Sequence, residues 1–343
     1  MSWARSPLSS GRTRRRVTDM GRTLPIYPSD VTIPSVTAPA PAPVDASPNP
    51  WLRRILLANV VLEVGIVVTG GLVRLTGSGL GCPTWPECVP GSFTPVAHQP
   101  QGIHKYIEYG NRTLTGVVGI AALLVIVAVW LWAPGRRGWR PGRPALFRLA
   151  FLPMLGVVAQ AVLGGITVLT GLNPATVAAH FLLSMVIVAI STLLLVRAGE
   201  GDAAPTPVVR REVGLLARVT VALGAVVLAL GTVVTGSGPH SGDAAHPTRF
   251  GFDPRSVSWL HADAVMLFTG LVVAMVVAVR LVDAPVRPRR AWAWVLVVTL
   301  AQGVVGYLQY FTGLPEAVVA LHMLGASLLV VTLTRGLLSL RTR

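Results

Sequence analysis

Eight apolar runs dominate the chain, over roughly residues 55–75, 112–132, 147–169, 175–196, 214–235, 257–281, 291–311 and 316–338. Each is close to the ~20 residues that cross the hydrocarbon core of a bilayer. Backbone N–H and C=O groups find no water in lipid, so runs of this kind fold as helices. Glycines and prolines mark the connections between them. Hydrophobic residues make up 52% of the chain and charged residues 13%, which excludes an ordinary soluble domain. The formal charge of +15 could suit a nucleic-acid partner. The basic residues lie in the connections instead, so the expected surroundings are membrane lipid and no nucleic acid. The expected fold is all-α and integral to the membrane, with eight transmembrane helices.

Arginine and lysine set the expected orientation. One set of connections holds the N-terminal segment, Arg136 to Arg148, Arg197 to Arg211, Arg287 to Arg290, and Arg341 with Arg343. The other set holds only Arg74, Lys105, Arg112, Arg249 and Arg255. The first set is expected to face the cytoplasm, with both termini inside, in the plasma membrane. Residues 1–50 carry Arg12, Arg14, Arg15 and Arg16, then a Pro/Ala/Ser/Thr-rich stretch, and no apolar h-region follows. They read as a disordered cytoplasmic tail rather than a signal peptide. Cys82 and Cys88 share one short loop on the outer side, where a disulfide can persist if they pair.

The chain also repeats itself. Gln160–His180 aligns without gaps on Gln302–His322, and 10 of the 21 positions are identical, among them Gln160/Gln302, Gly164/Gly306 and His180/His322. Thr76-Gly77-Ser78-Gly79 is echoed by Thr235-Gly236-Ser237-Gly238. Two tandem four-helix halves in parallel orientation account for this, over residues 51–200 and 201–343.

Ionisable residues inside spans are functional candidates by default. Glu63, Arg112, His180, Arg218, Asp263 and His322 are the main ones, with His261 near the start of the sixth run. Glu63, near the middle of the first run, receives no role. His180 lies about five residues and His322 about six residues into their runs, under ~10 Å deep at 1.5 Å per residue. His261 sits at similar depth. One histidine on each of two helices is a common way to hold haem iron, and in the second half that pair is His261 and His322. A histidine hydrogen-bonded within the bundle is the plainer alternative. Structural zinc wants four ligands and fits less well. His98, His104, His240 and His246 read as loop residues. In the first half Asn111 occupies the slot of His261, and Asn is a poor iron ligand. Glu108 lies three residues before Asn111, on the same helical face. It is either a general acid/base or nucleophile, or an acid favoured by the helix dipole.

These residues carry a resemblance. Gly71-Leu72-Val73-Arg74-Leu75-Thr76-Gly77-Ser78-Gly79-Leu80-Gly81-Cys82-Pro83-Thr84-Trp85-Pro86-Glu87-Cys88 resembles the first external loop of haem A synthases. Ile107-Glu108-Tyr109 with Asn111-Arg112 is similar to that family's acidic motif, and Gly236 to Asp243 to its second-half loop. With the histidines, the resemblance covers roughly residues 51–340.

The resemblance implies oxidation of haem O to haem A for cytochrome oxidase. A porphyrin methyl group is hydroxylated twice, and dehydration leaves a formyl group. It further implies a haem b cofactor on His261 and His322, a substrate haem beside His180, an essential carboxylate at Glu108, and a Cys82–Cys88 disulfide. Many members of the family have histidine where this chain has Asn111, so the substrate iron receives at most one histidine from this pair. Haem propionates need cations, and Arg74, Arg112, Lys105 or Arg249 could serve; interfacial snorkelling is the alternative for Arg74 and Arg112. The disulfide is either a clamp on the loop or a redox relay. A complex with haem O synthase follows from metabolic logic, and a homo-oligomer is a further open expectation. The rival functions are a haem b-binding electron-transfer subunit without chemistry on the porphyrin, and a transporter with parallel repeats. The transporter predicts a midplane site, whereas most of the candidate polar residues gather near one face.

Overall fold

The computed structural model describes residues 49–133, 135, 138, 142–243 and 246–343. Apart from Asn49 and Pro50, the tail expected over residues 1–50 lies outside them. Eight helices follow in chain order: α1 (Pro50–Leu75), α2 (His104–Trp132), α3 (Pro144–Leu169), α4 (Pro174–Ala198), α5 (Arg211–Ser237), α6 (Pro254–Leu281), α7 (Val286–Phe311) and α8 (Glu316–Ser339). All eight are long and apolar enough to cross a membrane. The protein is an all-α membrane protein, and large apolar side chains such as Val61, Ile120, Leu155, Met266 and Val304 stand exposed along the spans, where lipid would meet them. Two residue pairs, β1 (Thr206–Pro207) and β2 (Arg341–Thr342), join antiparallel and tie the α4–α5 connection to the segment after α8.

The helix starts follow local chemistry. Asn49, Asn173 and Asp253 cap α1, α4 and α6 by accepting from backbone N–H groups, and each is followed by a proline that needs no such bond. The ends of α3 and α7 share one device. Gly171 and Leu172 are both left-handed, as are Gly313 and Leu314, and each leucine N–H reaches back five residues to Thr167 or Gln309. A left-handed leucine is unfavourable on its own. Leu172 recovers that cost in packing, because its side chain is buried against Gly79 and Gly242.

The second helix departs from the expected span. α2 begins at His104, eight residues before the apolar run, so His104 is a helical residue rather than a loop residue. The added turns carry Lys105, Glu108 and Arg112, whose polar groups are satisfied by the adjoining loop. A hydropathy boundary therefore underestimates this helix.

Within residues 50–198, α1 packs on α2 and α4, and α3 on α2 and α4; α5 to α8 close a second ring in the same way. One apolar core draws only on α1 to α4 and another almost wholly on α5 to α8. The seam is α1 and α4 against α8, with α4 against α5, and holds Val64, Val67, Met185, Val188 and Val330. At the disulfide end, the loops of the two bundles zip together: Gly79 donates to Gly242, and Ser78 pairs with Asp243. At the opposite end, Arg143 and Arg197 meet Asp202 and Glu200 at 2.9 and 3.1 Å, joined by Arg287 and Arg341.

Candidate active site

Residues 76–103 fold over the start of α2. Cys82 and Cys88 are joined, with S–S 2.05 Å, and both are fully buried. Glu108, the fifth residue of α2, accepts the Cys82 N–H through Oε2 at 2.5 Å. Arg112 lies one turn further on. It donates to Glu108 Oε1 from Nε at 3.1 Å and from Nη2 at 2.7 Å. The same guanidinium donates to the carbonyls of Cys82, Thr84 and Glu87 at 2.7, 3.0 and 3.2 Å. Carboxylate and guanidinium thus form a charge-assisted network around the disulfide ring of residues 82–88, with Glu108 only 5% exposed. Lys105 is also committed to the loop, donating to the carbonyls of Val96 and Ala97. Gln99 donates to Gly81, whose missing side chain lets the backbone of His104 approach. Trp85 swings from the loop onto α3, against Gly165, where a Cβ would overlap the indole.

The histidines share a distinctive setting. His180 and His322 are each the seventh residue of their helices, and Asn111 and His261 each the eighth of theirs. The His180 ring lies against Gly164 of α3, and the His322 ring against Gly306 of α7. Gln160 donates to the carbonyl of His180, and Gln302 to that of His322, both at 2.9 Å. The His261 ring lies against Gly231 of α5 and faces the Val227 carbonyl. His261 and His322 stand on α6 and α8, which lie diagonally in the second ring. Nδ1 is buried without a well-formed hydrogen bond in all three. Imidazoles projecting from diagonal helices, bedded on glycine and not consumed by hydrogen bonds, are a donor set that fits haem iron. Among the described residues, no group of three or more His, Cys, Asp or Glu suits a metal ion on its own.

Asn111 is engaged otherwise: its Oδ1 accepts from Thr69 at 2.8 Å, and its amide faces Gly70 of α1. Arg74 donates to the Thr235 carbonyl at 2.7 Å and keeps a buried Nε without a partner. Arg249 donates to Pro239. Of the four expected propionate partners, Arg112 and Lys105 are the most fully occupied by the loop. Sequence reasoning did not assign Trp85, Gln99 or the Ser78–His104 hydrogen bond at 2.8 Å, although Trp85 and Ser78 lie in the motif it singled out. The repeated Gln160 and Gln302 were visible as identities, but their role as carbonyl anchors for the two histidine turns was not.

The profile of a family described as cytochrome oxidase assembly protein (COX15-CtaA) matches residues 53–334. Similar curated proteins carry the name heme A synthase. The one from Alkalihalophilus pseudofirmus is 32% identical over 152 residues, 43% of this chain and 48% of its own length. The one from Lysinibacillus sphaericus is 36% identical over 147 residues, 43% of this chain and 44% of its own. The chain thus spans about half the length of these two relatives. With the protein of that name from Bacillus cereus (strain G9842) the match is 28% identical over 296 residues, 82% of this chain and 90% of the relative. Because the family profile runs from α1 into α8 without leaving out either bundle, the chain belongs to the cytochrome oxidase assembly protein (COX15-CtaA) family.

Proposed function

We propose that this protein is a haem A synthase, an oxidoreductase that converts a methyl group of haem O to the formyl group of haem A. The observation that carries the reading is the unequal pair of bundles. In the second, His261 of α6 lies on Gly231 and His322 of α8 lies on Gly306, one imidazole on each of two diagonal helices. In the first, His180 has the same bed of glycine and glutamine, but the opposite slot is Asn111, held by Thr69. Residues 201–343 form the cofactor half and residues 51–200 the substrate half. Relatives named heme A synthase support the haem A synthase reading of the whole chain.

His261 and His322 would hold haem b, which would supply one-electron redox chemistry. His180 would ligate the substrate iron, and Asn111, held by Thr69, offers no imidazole. Glu108 is the acid/base residue. Its two oxygens are fixed by the Cys82 N–H and by Arg112, so the carboxylate is aimed before substrate arrives. Arg74, with an unpartnered Nε, is the better cation for a propionate; Arg112 would have to give up loop bonds to serve. The arginines gathered at the end opposite the disulfide support a cytoplasmic placement of that end in the plasma membrane, and the disulfide supports an outer placement of its own. Haem O synthase, which makes the substrate, is the expected partner.

The test is co-expression with a haem O synthase, followed by extraction and reversed-phase separation of the haems with mass detection. Haem A from the native chain, and its loss with Glu108→Gln, is the expected result. Persistent haem O beside stable, haem b-loaded protein would overturn the reading in favour of an electron-transfer subunit.

A further inference from the structure

Glu63 lies in the middle of α1 with 4% of its surface exposed, and its Oε1 has no hydrogen-bond partner. Among the described residues it joins no ion pair. The charged pairs sit at the two ends, Glu108 with Arg112 and the arginines with Glu200 and Asp202. An isolated carboxyl in this position is expensive unless it serves a purpose.

Its neighbours along the helices are polar too. Asn59, one turn earlier on α1, donates to Ser191 of α4 at 3.0 Å and leaves its own Oδ1 unpartnered. Gly70, seven residues after Glu63 and so on the same face, abuts the Asn111 amide. On α4, Ser191, Ser184 and His180 follow at spacings of seven and four. Gln160 donates to Ser184 at 2.5 Å and has an unpartnered Oε1. α1 and α4 pack together. A polar column therefore runs from Asn59 and Ser191, past Glu63, to His180 and Asn111. Three of its buried oxygens, on Asn59, Glu63 and Gln160, lack partners, which is the setting that internal water occupies.

Among the described residues, the second bundle does not repeat this column. Extending the Thr76/Thr235 match along the helices puts Ala222 opposite Glu63 and the exposed Arg218 opposite Asn59. Extending the His180/His322 match puts Ala326 and Leu333 opposite Ser184 and Ser191. A purely structural polar layer would have no reason to be confined to the half with Asn111 and Glu108.

We propose that Glu63 is a proton-exchanging site serving the first-bundle haem site through this hydrated column. Glu63 takes up one proton for each electron that a one-electron donor delivers to haem bound beside His180, and releases it on reoxidation. No bond other than the carboxyl O–H forms or breaks. The inference rests on the haem A synthase reading for its purpose, but not for its detection.

The experiment is a reduced-minus-oxidised infrared difference spectrum of the purified, haem-loaded protein, with the haems of the same sample separated chromatographically. The native protein should show a protonated-carboxyl band that shifts in heavy water. Glu63→Gln should remove that band, retain haem b, and slow conversion of haem O on the order of a hundredfold. A band unchanged in Glu63→Gln, or conversion at the native rate, overturns the proposal. Should Glu63→Gln fail to accumulate, Ser191→Ala decides: a displaced band supports the column, and an undisplaced one overturns it. Absence of haem A from the native chain would instead sink the synthase reading, while the infrared result still decides the proton site.

Discussion

Arg112 donates two hydrogen bonds to one oxygen of Glu108, while the other oxygen of Glu108 accepts the N–H of Cys82. The carboxylate and the disulfide loop are consequently one unit. Arg112→Ala should release both, lowering haem A formation on the order of a hundredfold while haem b remains bound. Arg112→Lys should recover little, because an ammonium cannot reproduce the fork that spans Glu108 and three carbonyls. Haem ratios in the purified variants check both statements.

The disulfide closes a short ring that carries the Cys82 donor. Replacing Cys82 and Cys88 together by serine should destabilise the loop by about 2 kcal/mol. Limited proteolysis should then cut within residues 83–101, where the native protein resists, and haem A should fall while the haem b spectrum is kept.

Trp85 rests on Gly165, and the His180 ring on Gly164. Gly165→Leu should expel Trp85 from α3 and shift its fluorescence to longer wavelength, measured against a Trp85→Phe control. Gly164→Leu should act on His180 instead, lowering haem O retention with Trp85 emission unchanged.

His261 and His322 should be needed for haem b, and His180 should not. Replacing either of the first two by alanine is expected to abolish the Soret band of protein expressed without haem O. Replacing His180 should leave that band and reduce haem O bound on co-expression. Pyridine haemochrome analysis distinguishes the two haems.

Asn111→His offers the first bundle a second imidazole opposite His180, at the cost of the Thr69 hydrogen bond, about 1 kcal/mol. Substrate haem should then give a six-coordinate low-spin spectrum that the native chain does not show. An unchanged spectrum would mean that the histidine cannot turn away from α1.

The spans, their number and the histidine candidates were legible in the sequence, because hydropathy and helical spacing are local properties. Even so, α2 was read eight residues too short, since the run of apolar residues does not register Lys105, Glu108 and Arg112 satisfying themselves on a loop. Spacing placed Glu108 on a helical face but could not choose between a helix-end acid and a reactive carboxylate. That depends on partners far along the chain: Cys82 is 26 residues from Glu108, Thr69 is 42 from Asn111, and Thr235 is 161 from Arg74. The sequence by itself determined that eight helices form and where their polar residues fall on each. Only the tertiary structure decided which of those residues face one another, because hydrogen bonds and ring contacts between helices depend on how whole bundles pack.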